Sequence, residues 1–252
     1  MSGALHPLLP RVAQVIDGTG PETGLLGQSY DLASGAETLT HYETWADTYD
    51  KEIDEDLGYA QPTRCAAALA EVIRSQGGVL GGHVLDVGCG TGLSGIALSD
   101  AGFINQDGCD FSPSMLKRAA ETGIYQRLFI ADLNEDLDTA DGTYDAAAAV
   151  GVFSFGHIQP SALRKILRAV RPDGAVVIGL NDHFWELGTL AAELHAIETE
   201  GVAEIAFQEH GDHLPGAGIG GCGSGPRQCT RAASGVANSA GEAAHHWRDK
   251  VP

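Results

Sequence analysis

The chain has 252 residues, 43% of them hydrophobic, and a formal net charge of −19 from 34 acidic against 15 basic residues. The length suits one α/β domain with an added terminal segment, and the apolar share is enough for a full core. Binding phosphates takes clustered Lys and Arg, so this charge disfavours nucleic acid and anionic membrane as partners and favours a small or neutral substrate.

Residues 1–35 carry Pro7, Pro10 and Pro21 among several glycines, without sustained periodicity, and read as a partly ordered arm. No basic, apolar leader opens the chain, and no run approaches membrane-span length. The five cysteines (65, 89, 109, 222 and 229) lack metal-binding spacing, and their odd number favours a reducing compartment. The expectation is a soluble, cytoplasmic protein without a metal. From residue 36 the pattern turns helical. Leu39, Tyr42, Trp45, Ala46 and Tyr49 form one apolar, aromatic face, and the other positions are largely acidic. The bland reading is an amphipathic helix docked by its stripe; the sharper one is a helical lid over residues 36–60. Pro62 suits the first turn of the next helix, which the glycines at 77–78 and 81–82 end.

Next comes Val84-Leu85-Asp86-Val87-Gly88-Cys89-Gly90-Thr91-Gly92, strand formers ending at a glycine turn, followed by a helix start at Leu93. Strand, turn and helix make the first half of a nucleotide-binding α/β unit. Glycine lets a ligand lie against bare backbone, and the helix start offers unpaired N–H groups. Gly90, Gly92 and Gly95 also match the dinucleotide spacing, so an NAD-dependent oxidoreductase is one reading. Asp86 argues against it, because a carboxylate at the strand end repels a pyrophosphate and suits a cationic cofactor. A second strand, Phe103 to Cys109, ends in Asp110, placed to accept two ribose hydroxyls. Ser112 is a fair N-cap and Pro113 fits the first helical position. Tyr125 to Ile130 reads as a third strand, followed by Asp132 and Leu133.

The nine residues from Val84 resemble the first motif of class I S-adenosylmethionine-dependent methyltransferases. The run Asp110-Phe111-Ser112-Pro113-Ser114-Met115-Leu116 resembles that family's second motif. Tyr42, Trp45, Ala46, Tyr49 and Asp50 resemble the N-terminal motif of its ubiquinone- and menaquinone-biosynthesis-type members. Together with Gly58-Tyr59, Pro62 and Gly156-His157, they resemble the Williams–Beuren-region methyltransferase-like group. The resemblance spans roughly residues 30–215. It implies a Rossmann-like, doubly wound, mostly parallel sheet with helices on both faces, and S-adenosyl-L-methionine as cofactor. It implies cofactor contacts from Tyr49, Asp86, Gly88, Cys89, Gly90, Asp110, Phe111, Met115, Asp132, Leu133 and Val150. Met115 is as well explained as helix core; for Asp132 the bland reading is a strand-end turn residue, and the cofactor contact is preferred because it comes third in a series at matching intervals. The family also places a fourth strand at Tyr144 to Phe153, although the alanine run there favours helix by propensity.

A helix over Ser161–Val170 presents Arg164, Lys165, Arg168 and Arg171, read as a solvated face, and leads into an apolar strand at Ala175–Leu180. One helix over Asn181–Glu200 and a sixth strand over Val202–Phe207 follow. Residues 213–220 could form a hairpin turn. Beyond Gly221 the composition is Gly, Ser, Ala and polar, so the family's seventh strand is not found. Two readings compete, a natural low-order tail over 221–252 or a lost C-terminal strand, and truncation at Gly221 is expected to cost no stability. The domain is thus bounded at 36–220.

Methyl transfer from a sulfonium is an in-line displacement that mainly needs positioning. A hydroxyl acceptor would gain from a general base, for which His157 is the first candidate, with His210 and His213 behind it. A loop histidine bonded to backbone is the plainer account of His157. The expected function is methyl transfer to a small-molecule acceptor, with no nucleic acid or membrane partner. An oxidoreductase and a non-catalytic S-adenosylmethionine-binding protein stay open.

Overall fold

The computed structural model describes residue 28 and residues 35–154, 158–215 and 219–228. A seven-stranded sheet in the order β3-β2-β1-β4-β5-β7-β6 forms its centre. The parallel part contains β1 (Val84–Val87), β2 (Gln106–Asp110), β3 (Tyr125–Ile130), β4 (Tyr144–Val150) and β5 (Val170–Asn181). β6 (Ala203–Leu214) and β7 (Ile219–Gln228) form an antiparallel hairpin, with β7 inserted between β5 and β6. Strand order reverses between β1 and β4, so a ligand crevice belongs at the carboxyl ends of these strands.

The alanine run is β4, despite its helix propensity. Ala146 to Ala149 are fully buried. Ala147 and Ala149 join one core cluster with Leu85, Val87, Val176 and Ile178, while Ala146 and Ala148 join another with Val84, Ala175 and Val177. This period of two fits a strand covered on both faces, where small side chains let the flanking helices approach. One face is covered by α5 (Ala162–Ala169) and α7 (Thr189–Thr199), the other by α2 (Gln61–Ser75) and α3 (Leu93–Ala101).

Several expected boundaries change. The single helix expected over 181–200 is two, α6 (Asp182–Glu186) and α7, divided by Gly188 at φ 73°. β6 continues seven residues past its expected end at Phe207. The basic residues of α5 are not simply solvated. Arg164 pairs with Glu193 and Glu200 of α7, and Arg168 with Asp136 and Asp141.

The seventh strand is present, which corrects the reading of a low-order tail from 221. β7 has little β-propensity of its own, but it is hydrogen-bonded along both edges, to β5 at Gly179–Asn181 and to β6 from Ala203 to Leu214. Pairing on two sides supplies what composition does not. Pro226, which lacks a donor, sits where the β6 register shifts between Ile205 and Phe207. The rest of the tail, 229–252, lies outside the described residues, as does nearly all of the N-terminal arm.

The expected lid helix is α1 (Gly35–Trp45), continued by a π-helical turn at Lys51–Asp56. Trp45, Ala46 and Ile53 are buried, and Trp45 and Ile53 cluster with Leu214 at the end of β6. Tyr42, Tyr49, Leu57 and Tyr59 pack around that cluster. No helix among the described residues is long and apolar enough to cross a membrane.

Candidate active site

A cleft opens at the carboxyl ends of β1, β2 and β4, floored by the glycine loop and roofed by α1 and the π-helical turn. Each glycine of the loop has its own reason. Gly88 has φ 64°, and a Cβ there would lie 2.5 Å from Val152, so β1 can only turn as it does with bare backbone. A Cβ on Gly90 would meet nothing within 4 Å, which leaves that stretch of loop open to a ligand. Gly95 faces the other way. A Cβ there would stand 2.2 Å from the Tyr125 hydroxyl, so it serves contact between α3 and β3.

That contact decides the place of Asp86. Its side chain is fully enclosed and does not line the cleft. Its carboxylate accepts from the Tyr125 hydroxyl at 2.6 Å and from the Ser94 hydroxyl at 2.7 and 2.9 Å. Burial pushes its pKa up to about 7, against the pull of these two donors. Asp86 therefore ties β1, α3 and β3 together behind the loop. The sequence argument that gave it a cationic cofactor group does not match this orientation.

The other expected cofactor residues converge. Tyr49, Gly88, Cys89, Gly90, Asp110, Phe111, Met115, Asp132, Leu133 and Val150 all line the cleft. Asp110, at the end of β2, accepts the Gly90 N–H and the Ser112 N–H, each at 2.9 Å, and so draws the loop toward β2. Burial raises its pKa. Ser112 caps α4 (Pro113–Thr122) by accepting the Met115 N–H at 3.2 Å, with Pro113 in the first turn as expected. Met115 is both, 1% exposed in the core and at the cleft wall. Asp132 accepts the Asn134 N–H at 2.9 Å, fixing the turn after β3. Cys89 and Cys109 are buried free thiols whose pKa values burial raises, that of Cys109 to about 12, so neither is a thiolate nucleophile.

Three supports were not read in the sequence. Lys165 of α5 donates to the carbonyls of Leu133 at 3.3 Å, Asn134 and Glu135 at 2.7 Å, gripping the turn that carries Asp132. Glu43 of α1 accepts from the Ser112 hydroxyl at 2.7 Å, the Ser114 N–H at 3.0 Å and the Ser114 hydroxyl. The Ser114 and Ser112 donors hold its carboxyl below the usual range. Asp50 accepts from Thr91 in the glycine loop at 2.5 Å. The acidic face of the lid segment thus attaches it to both cofactor-side turns.

At the far end of the cleft stand Tyr59, Asn181 and His213. His213 is 5% exposed, edge-on to Tyr59 with ring centroids 5.2 Å apart. Its neighbour His210 instead pairs with Asp182 at 2.8 Å on the surface. His157 lies outside the described residues; Ile158 beside it lines the cleft.

Residues 84–174, from β1 into β5, match the model of the methyltransferase domain family. Over 198 residues the chain is 31% identical to methyltransferase-like protein 27 of Homo sapiens, covering 77% of this chain and 79% of that protein. The chain belongs to the class I S-adenosylmethionine-dependent methyltransferases. Its cofactor is S-adenosylmethionine, which sets aside the oxidoreductase reading of the sequence. This methyltransferase also shares 40% identity over 68 residues with an 18S rRNA (guanine-N(7))-methyltransferase of Bos taurus, covering 27% of the chain and 24% of that relative. In fold it resembles Burkholderia thailandensis 1,6-didemethyltoxoflavin-N1-methyltransferase, solved with bound 1,6-didemethyltoxoflavin and S-adenosylhomocysteine. The TM-score is 0.55 at 21% identity, over 79% of this chain and 92% of that one.

Proposed function

We propose that this methyltransferase moves a methyl group to a small-molecule acceptor by in-line displacement, chiefly through proximity and orientation. The observation that carries the reading is the roofed cleft. The lid segment is pinned to the glycine loop through Asp50 and to the turn after β2 through Glu43, the acceptor end is walled by Tyr42, Trp45, Tyr49 and Tyr59, and no Lys or Arg is among the described cleft residues. Such a chamber suits a small, uncharged acceptor better than a nucleic-acid strand, whose phosphates call for basic side chains. The free, buried Cys65, Cys89 and Cys109 suit a reducing, cytoplasmic setting.

The residues present fit S-adenosylmethionine. Bare backbone at Gly90 leaves room for the ligand, and Asp110 presents a carboxylate with lone pairs left over for ribose hydroxyls. In this reading Gly88, Cys89, Gly90 and Tyr49 would hold the methionine portion. Phe111, Met115 and Val150 bracket the cofactor, while Asp132 and the Leu133 N–H meet the adenine edge. The bound cofactor supplies an electrophilic methyl carbon on a sulfonium. The test is incubation with methyl-tritiated S-adenosylmethionine and a cell extract fractionated by size. Label in the fraction below about 1 kDa is expected, since drug-sized ligands fit pockets of this type. Label confined to RNA or to protein would overturn the small-molecule reading.

A further inference from the structure

His213 occupies a position that packing does not explain. β6 runs parallel to β5 through the intervening β7, so its last residues reach the same end of the sheet as the glycine loop. There the His213 backbone is fixed: the Ala60 N–H donates to its carbonyl at 3.0 Å, and Arg64 donates to the preceding carbonyl of Asp212 at 2.8 Å. The ring is 95% enclosed by the 5% exposure above, yet its Nδ1 finds no hydrogen-bond partner. Of the buried side-chain polar atoms left unpaired among the described residues, this is the one belonging to a cleft-lining residue. Buried polar atoms are normally satisfied, and an orphan at a cleft wall points to a ligand that completes it. The surroundings describe that ligand. Aromatic rings favour a flat, apolar body, and an unpaired imidazole nitrogen calls for one protic group.

We infer that His213 is the acceptor-side base and that the acceptor is an aromatic hydroxyl compound. This rests on the methyltransferase reading of the cleft and adds the acceptor atom to it. The acceptor oxygen forms the C–O bond to the methyl carbon as the C–S bond breaks, and that bond's electron pair stays on sulfur, leaving a neutral thioether. The hydroxyl proton passes to the His213 imidazole, which returns it to solvent when product leaves. Burial, followed by the positive charge of Arg64 on α2, pushes the His213 pKa down to about 4, so the ring is neutral and able to accept. Glu209, which pairs with Arg64, and Asp212 are the acidic groups nearest to it on its own strand. A phenol giving up its methyl-accepting lone pair becomes strongly acidic, so even a weak base suffices.

The test compares 4-methylphenol with 4-methylthiophenol at about pH 7.5, in the full-length enzyme and in His213→Gln and His213→Ala. The phenol is un-ionised there and needs a base, whereas the thiol is already largely thiolate and does not. Calorimetry with S-adenosylmethionine accompanies each variant. The expected result is unchanged cofactor affinity, a loss of about 100-fold on the phenol, and less than about threefold on the thiol. Equal losses on both probes would make His213 a structural residue and overturn the inference. Cofactor binding by wild type with no turnover of the phenol would overturn the acceptor class. Failure of wild type to bind the cofactor would instead overturn the functional reading beneath it.

Discussion

Asp50, at the entry to the π-helical turn, accepts a hydrogen bond from the Thr91 hydroxyl at 2.5 Å. Thr91 lies between Gly90 and Gly92, so the roof of the cleft is joined directly to its floor. A bond to a charged acceptor contributes about 1.5–3 kcal/mol when enclosed, and less at the half-open edge occupied here. Thr91→Val keeps the shape and removes the donor. It should weaken S-adenosylmethionine binding about fivefold, mainly through faster dissociation, and speed amide exchange over residues 35–57. Unchanged affinity and exchange would show that the roof closes without this bond.

Asp110 is the cleft carboxylate that also holds the loop. Asp110→Ala removes two backbone bonds and, in the proposed binding mode, the acceptor for the ribose. Cofactor affinity should fall by about 100-fold or more, read by calorimetry, since each bond to a charged group counts for about 1.5–3 kcal/mol. Asp110→Asn keeps one acceptor oxygen and should retain part of the affinity.

Lys165 makes a more remote prediction. Its ammonium satisfies three consecutive carbonyls, at 133, 134 and 135, that shape the turn presenting Asp132 and Leu133. Lys165→Met preserves the aliphatic stem and removes the donors. We expect a five- to tenfold weaker cofactor affinity, about 1 kcal/mol, with the fold retained.

Asp86 yields a pH dependence. Its pKa is about 7 in the folded protein against about 3.9 unfolded. Between these values the folded state holds a proton that the unfolded chain has released, so the term lowers stability as pH rises from about 4 to 7. Fully developed above pH 7 it amounts to roughly 4 kcal/mol, since each unit corresponds to about 1.4 kcal/mol. Asp86→Asn removes the titration. The difference in melting temperature between wild type and variant should shift in the variant's favour as pH rises through this window. A difference independent of pH would mean that Asp86 ionises normally in the fold.

The sequence made the cofactor half of the molecule readable because its chemistry is local. Gly88 and Gly90 are dictated by backbone geometry, Ser112 and Pro113 by helix capping, and all fall within a few residues of their strands. Gly95 and Asp86 were readable as positions but not in purpose. Their reasons lie in Tyr125, thirty residues after Gly95 and thirty-nine after Asp86, whose hydroxyl fills the space left by one and bonds the other. The lid was visible as an aromatic stripe, but its acidic face had no assigned purpose until Glu43 and Asp50 met serine and threonine partners far along the chain. β7 was missed because a strand paired along both edges needs no apolar alternation of its own.

That strand supports the last prediction. In the order β5-β7-β6, β7 joins β6 to the sheet, and β6 ends in His213 and in Leu214, which packs against Trp45 and Ile53 of the roof. Truncation at Gly221 should therefore not be neutral, as composition suggested. It removes most of β7, leaves β5 with an open edge and detaches the strand under the lid. A gentler version is Gly223→Pro, at a position paired with Gly179 on one side and Glu209 on the other. Proline there removes a ladder donor in an inner strand, at a cost of about 3 kcal/mol or more. In a domain this size that lowers the melting temperature by about 6–12 °C. Because the strain reaches the roof through β6, affinity for S-adenosylmethionine should fall in the same variant. A proline variant that melts like wild type would mean that β7 is not an inner strand of the folded sheet, and the His213 end of the cleft would need another builder.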